Sequence, residues 1–344
     1  MFNQRYRHMQ DMGMTAMKKA SFEIALKGKK QIAEGTFAFV FEKPEGFRFK
    51  AGQHLRMTLI NPPKTDSEGN SRFFSLASTP QDPDLVIAMR MRDTAFKRVL
   101  KSMPIGEKVR IQIMAHVPHG AFALHEDSLR PAVFVVGGIG IVPAFSIIKD
   151  ATERKLPHKL FLFYSNRRPE DAPFLSELQK IEKSNSNFKL IATMTQAERS
   201  TKPWKGETGA INGALLKKYL GDRKSPIYYV SGLPEMTSAM KKILRELGVR
   251  EESIRAEEFT GFNLNKLQDM SYQRWKKHLL ITLVVFGLIV AVFIHVGVFN
   301  SISQYGICGF LRENPILWLG IVAFPILAVF KIKHLLWIRH RRKS

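Results

Sequence analysis

The chain has 344 residues, 53 Lys and Arg against 30 Asp and Glu, a net charge of +23, and one cysteine. This length suits two compact domains plus extra segments, and the lone Cys308 excludes an intrachain disulfide, a four-cysteine zinc site or a cysteine-held iron-sulfur cluster within the chain. The positive balance favours an acidic partner or anionic lipid. Nucleic acid is not expected, because the excess is concentrated at the ends: residues 265–344 carry 11 basic and 2 acidic side chains, and residues 1–30 carry 7 and 2.

Residues 1–19 are basic with no continuous apolar stretch, which predicts a disordered lead-in and no secretory signal. From residue 20 to 128 the chain reads as short strands at 21–27, 35–41, 53–59, 72–78, 85–91 and 108–113. Turn residues such as Asn61-Pro62-Pro63 and Glu68-Gly69-Asn70 punctuate them. The pattern predicts a small antiparallel β-barrel. After Pro131 the rhythm changes: apolar runs at 132–136, 160–164, 189–194 and 227–230 alternate with helical stretches near 144–154, 174–183, 214–220 and 234–247. That alternation, closed by a strand at 254–259, predicts a doubly wound parallel α/β sheet over residues 129–264, with its ligand at the carboxyl ends of the strands.

Residues 265–344 predict a membrane anchor. The stretch 279–299 is apolar apart from His295 and would make roughly 32 Å of helix, enough to cross a bilayer core. A second span is expected at about 315–336, with Lys331 and Lys333 reaching back to the interface. Both outer flanks are basic, whereas the connecting loop carries Arg312 beside Glu313, so the hairpin is expected to keep its ends and the preceding domains on the cytoplasmic face of the cell membrane. His278 and His334 are read as interfacial rather than as haem ligands, and His116, His119 and His125 are too unevenly spaced to predict a metal site.

Four elements carry chemistry. Arg72-Phe73-Phe74-Ser75-Leu76-Ala77-Ser78 lies in the barrel region. Gly137-Gly138-Ile139-Gly140-Ile141-Val142-Pro143 joins a buried strand to a helix, where free N–H groups and the helix dipole favour a pyrophosphate. Ser231-Gly232-Leu233-Pro234-Glu235-Met236 ends a later strand, and Glu257-Glu258-Phe259-Thr260-Gly261 closes the region.

The order and spacing of these elements resemble the ferredoxin-NADP reductase family of flavoenzymes, over about residues 21–262. The resemblance implies FAD, or less readily FMN, and NADPH or NADH as hydride donor. It implies that Arg72 pairs with the flavin pyrophosphate, that Phe74 lies against the isoalloxazine in place of a Tyr, and that Ser75 bonds near the reactive flavin nitrogen. Met89, Arg90, Thr94 and Phe96 would serve the ribityl and phosphate groups. The Gly137, Gly138, Gly140, Ile141, Val142 and Pro143 turn would take the nicotinamide nucleotide's pyrophosphate, with Gly232, Pro234 and Met236 beside the nicotinamide. Ser231 stands where most relatives have Cys. Glu258, with Phe259 after it, resembles the carboxylate near the flavin ring, although adjacent Glu257 is an alternative. Asn166, Arg167 and Arg168 would face the adenosine half. The two arginines could read a 2′-phosphate or stack on adenine, leaving NADH against NADPH open. Ser75, Ser231 and Glu258 are the expected catalytic residues.

The implied function is a membrane-anchored NAD(P)H oxidoreductase passing electrons through flavin to a protein or membrane-soluble acceptor: a ferredoxin, flavodoxin, cytochrome, quinone or ferric chelate. The alternative is a non-catalytic docking subunit that keeps the reductase fold.

Overall fold

The computed structural model describes residues 21–113, 122–221 and 225–259. The expected lead-in, the loop with His116 and His119, Thr260, Gly261 and both expected membrane spans lie outside the described residues. Among the described residues no helix is long and apolar enough to cross a membrane.

The first half is a six-stranded sheet: β1 (Ser21–Ala33), β2 (Thr36–Glu42), β3 (His54–Leu59), β4 (Ser71–Ser75), β5 (Asp84–Arg90) and β6 (Lys108–Ile113). The spatial order is β4-β3-β6-β1-β2-β5, and every pairing is antiparallel. Its two edge strands meet only at the isolated bridge Leu76–Ile87. The barrel expected from the sequence is therefore a curled sheet pinned by one bridge, since β4 stops at Ser75 before a full ladder with β5 can form. Alternating residues fill its core: Ile24, Leu26, Phe39, Phe41, Leu55, Met57, Leu59, Ile87, Val109 and Ile111. The expected end of β1 at residue 27 is too early. The strand continues through Gly28, Lys29 and Lys30 because β2 supplies its backbone partners there. Residues 95–102, to which the sequence pattern assigns no element, form helix α1 (Ala95–Ser102), capped by the Thr94 side chain.

The second half is a six-stranded parallel sheet ordered β10-β9-β8-β7-β11-β12. Its strands are β7 (Ala132–Gly137), β8 (Leu160–Asn166), β9 (Phe188–Met194), β10 (Glu207–Thr208), β11 (Ile227–Gly232) and β12 (Ile254–Glu258). The chain winds outward from β7 to β10, then returns to β11 on the other side of β7. The order therefore reverses between β7 and β11, where a doubly wound sheet opens a ligand crevice. Helices α2 (Ile141–Glu153) and α3 (Leu175–Ser184) contribute Ile147, Ile148 and Leu178 to the core on one face. On the other face α4 (Gly213–Leu220) and α5 (Pro234–Glu246) contribute Leu216, Leu220, Met240 and Leu244. The central strands are apolar on both sides, as a sheet covered twice requires.

The two sheets are joined through α2. Ser146 donates to the Ser78 carbonyl at 2.7 Å, and Lys149 pairs with Asp82 at 2.6 Å. Gly52, at φ +89°, lies so close to α2 and the interdomain chain that an added Cβ would meet the Phe122 carbonyl oxygen at 2.0 Å and Ile147 at 2.8 Å. Only glycine fits there, in conformation and in space.

Candidate active site

The site forms where the ends of β7, β11 and β12 meet β4. Parallel pairing puts Ser231 beside Val136 on one side and Glu257 on the other. The glycines around it have different causes. A Cβ on Gly140 would lie 2.5 Å from the Ser231 carbonyl oxygen, and one on Gly137 or Gly232 would lie 2.3 or 2.8 Å from Met236 Sδ. These three let two strand ends and the first turn of α5 converge. Gly138 differs: its φ is +53° and nothing stands within 4 Å of where a Cβ would be. It leaves an open cradle just before the N-terminus of α2, a place that favours an anion.

Ser75 Oγ donates to Glu257 Oε1 at 3.1 Å, linking the antiparallel sheet to the last parallel strand. Burial pushes the Glu257 carboxyl up to about 7, with the Ser75 hydrogen bond opposing only part of that rise. The carboxylate that reaches Ser75 is thus Glu257. Glu258, expected from the sequence near the flavin ring with Glu257 as the alternative, is exposed and accepts from Thr237 Oγ1 at 3.1 Å, because neighbouring residues on a strand point to opposite faces.

Two buried atoms in this junction, Ser231 Oγ and Glu257 Oε2, have no hydrogen-bond partner. The buried side-chain amide of Asn166, at the end of β8, also lacks one. A buried polar atom without a partner costs about 1–3 kcal/mol, so three such groups at the carboxyl ends of β8, β11 and β12 suit a polar ligand. The donor set and the open Gly138 cradle fit a flavin ring at Ser75, Ser231 and Glu257 and a nicotinamide nucleotide across the glycine turn.

Other expected site residues take different places. Met89 and Phe96 are buried in the core of the first sheet, Met89 because its side chain falls on the inner face and Phe96 because it anchors α1. Phe74 packs on Phe96 with ring centroids 5.8 Å apart, while Phe73 points outward and is 46% exposed. Thr94 accepts from Lys97 N and so caps α1. The side chains of Ile141, Val142 and Pro143 are core, so the start of α2 would meet a ligand through its backbone. Pro234 opens α5, and Phe259 N donates to the Gly232 carbonyl at 2.8 Å, tying the chain to the strand end.

The expected phosphate-binding arginines are engaged within the chain. Arg72 pairs with Asp66 at 3.0 Å and Glu68 at 2.9 Å. Arg167, Arg168 and Arg90 gather on Asp171 at 2.9, 3.0 and 3.4 Å, and Arg168 also reaches Glu34 at 2.7 Å. The Asp171 side chain is 1% exposed. Burial raises its carboxyl, but Arg168 and Arg167 outweigh that and hold it below the ordinary carboxylate value. Sequence reasoning misses Asp66, Glu68 and Asp171 as the partners of these arginines. The first two look like parts of a turn, and nothing local marks Asp171 as buried.

Residues 134–242 match the family model of the oxidoreductase NAD-binding domain. The match lies within the α/β half, from β7 into α5. Over 215 residues the chain is 25% identical to the terephthalate 1,2-dioxygenase reductase component 1 of Comamonas sp., covering 62% of this chain and 60% of that protein. Over 190 residues it is 30% identical to one component of the Na+-translocating NADH-quinone reductase of Marinomonas sp. (strain MWYL1), covering 54% and 44%. The chain thus spans about half the length of these relatives. Among solved structures the fold matches the Amycolatopsis cytochrome P450 reductase with a TM-score of 0.58 and 21% identity, over 71% of this chain and 72% of that one. It matches the ferredoxin-NADP+ reductase of Neisseria gonorrhoeae, with bound FAD and NADP, at a TM-score of 0.56 and 20% identity, over 70% and 99%.

Proposed function

We propose that this chain is a membrane-anchored flavin-dependent NAD(P)H oxidoreductase that delivers electrons to an acceptor protein or a membrane-soluble acceptor. The observation that carries the reading is the junction of Ser75, Ser231 and Glu257, where two buried polar atoms lack partners at the switch point of an NAD-binding sheet. The named activities of the relatives, a dioxygenase reductase component and a quinone reductase component, support an acceptor of ferredoxin or quinone class.

Bound flavin would supply the conversion of a two-electron hydride donor into single or paired electrons. The protein's own residues would do the rest. Gly138 and the start of α2 would seat the nucleotide pyrophosphate, while Met236 would set how deeply the nicotinamide enters, since its sulfur lies against Gly137 and Gly232. Phe74 would offer a ring face to the flavin. Ser75 and Glu257 would hold a proton beside it, because burial raises the Glu257 carboxyl to about 7. Ser231 Oγ would make a polar contact from β11, the strand next to that of Glu257. NADH is the expected donor, because Arg167 and Arg168 are already paired with Asp171 and Glu34.

The apolar stretches at 279–299 and 315–330, with basic outer flanks, support anchoring in the cell membrane with the reductase part on the cytoplasmic side. The acceptor would then be met at the lipid surface, and the +23 charge suits both anionic lipid and an acidic protein. A second reading, a docking subunit without turnover, is favoured by one observation: Arg72 is held by the chain's own carboxylates. Flavin-reconstituted protein oxidising NADH with ferricyanide supports the enzyme; absence of turnover with bound flavin supports the docking subunit.

A further inference from the structure

Arg72 is almost wholly buried and surrounded by acceptors. Nη1 donates to the carbonyls of Glu68, Gly69 and Ser71 at 2.9–3.0 Å, and Nη2 meets Asp66 Oδ1 and Glu68 Oε2. The other oxygen of Asp66, Oδ2, accepts from Ala95 N at 2.9 Å, the first residue of α1. A single carboxylate therefore bridges a buried guanidinium and a helix N-terminus, two features that bind phosphate elsewhere. The loop between β3 and β4 that carries Asp66 is fixed by the same residue, whose Oδ1 accepts from Glu68 N and whose carbonyl accepts from Gly69 N.

The surroundings remain cationic with both carboxylates in place. Lys97 Nζ donates to the Arg90 carbonyl at 2.6 Å. Burial, then Arg92 and Arg72, pull its ammonium down to about 8 against the opposing pull of Glu68. Cations crowd one another here, and the two charges of a pyrophosphate match the two that Asp66 and Glu68 together place beside Arg72.

We propose that Asp66 and Glu68 are an internal counter-ion occupying the place of the cofactor's phosphates, so that flavin binds by exchange: its pyrophosphate takes over Arg72 and Ala95 N, and the 64–69 loop is released. Lys97 and Arg92 complete the cation shell in the exchanged state. The inference rests on the flavin reading above. It explains how a site with a satisfied Arg72 can still serve a phosphate, and it makes the flavin exchangeable.

The test is flavin binding to full-length, detergent-purified apoprotein, read by quenching of FAD fluorescence. Wild type is compared with Asp66→Asn and Glu68→Gln, which keep the size of each side chain and remove its charge. The expected result is FAD binding tighter by roughly fivefold in each variant, the scale of one partly exposed ion pair. Wild type that binds FAD with variants that bind it equally or more weakly overturns the exchange and leaves the flavin reading standing. If no form binds FAD, the flavin reading itself fails, and this proposal with it. Should the variants misfold by circular dichroism, wild type alone decides through trypsin cleavage after exposed Lys64: saturating FAD is expected to speed cleavage about threefold as the loop is freed, and unchanged or slower cleavage overturns the proposal.

Discussion

Ser75 and Glu257 stand 182 residues apart in sequence and meet at 3.1 Å, one at the end of an antiparallel strand and the other on the last strand of the parallel sheet. No local pattern contains this pair, since it exists only where the two sheets pack against each other. In the proposed enzyme, Glu257 is the carboxyl at the junction, raised by burial to about 7. Flavin reduction by NADH should therefore show an inflection near pH 7 that Glu257→Gln abolishes, with a rate loss of about 100-fold. Glu258→Gln should keep the inflection. Stopped-flow absorbance between about pH 5.5 and 8.5 checks this, and an unchanged profile in Glu257→Gln would remove the residue from the chemistry.

The same carboxyl has a stability consequence. Its folded value lies above its unfolded one, so the folded state holds the extra proton between about pH 4.5 and 7. Stability from this group is present at low pH and declines as pH rises through that window. Glu257→Gln should accordingly stabilise the protein at about pH 8 by about 1–3 kcal/mol and change little at about pH 4.5. Denaturant midpoints at the two values measure the difference.

Asp171 has the opposite sign. Its carboxyl is held below the ordinary value, so its contribution is complete above about pH 4 and fades as pH falls below that. It joins Arg90 from the first sheet to Arg167 and Arg168 from the second. Asp171→Asn should cost about 3 kcal/mol near neutral pH, because it leaves clustered guanidinium groups without their buried partner. A loss under about 0.5 kcal/mol by urea unfolding would mean that the cluster is only a solvated surface.

Gly140 and Gly138 separate packing from binding. Gly140→Ala forces a Cβ toward the Ser231 carbonyl oxygen and should lower stability by about 2 kcal/mol or more. Gly138→Ala meets no atom and costs about 1 kcal/mol through its left-handed φ, yet fills the cradle, so the KM for NADH should rise about tenfold. Thermal unfolding paired with steady-state kinetics distinguishes the two effects.

NADH should exceed NADPH in kcat/KM, and Arg167→Ala should shift their ratio by less than about threefold, since that guanidinium is committed to Asp171. A larger loss with NADPH alone would restore Arg167 as a reader of the 2′-phosphate.

Much of the architecture is legible in the sequence because periodicity is local. Apolar runs such as 132–136 and 160–164 mark the parallel strands, and alternation in 35–41 and 54–59 marks the antiparallel ones. What escapes depends on distant partners. Polar Lys29 and Lys30 are strand because β2 pairs with them, and α1 is a short helix secured by Thr94 and Asp66 rather than by a long apolar stripe. The glycine turn is legible as a strand-to-helix connection. Its division of labour is not, because Gly137, Gly140 and Gly232 answer to Met236 and Ser231 across the switch point. The choice between Glu257 and Glu258 turns on strand parity, which a shift of one residue reverses.

The most direct measurement is an anaerobic titration of the full-length, FAD-reconstituted protein with NADH, followed by its visible absorption. The account requires the flavin band to bleach with about one equivalent of NADH, the two-electron stoichiometry of a hydride donor. A flavin band that persists under excess NADH and excess NADPH would contradict it.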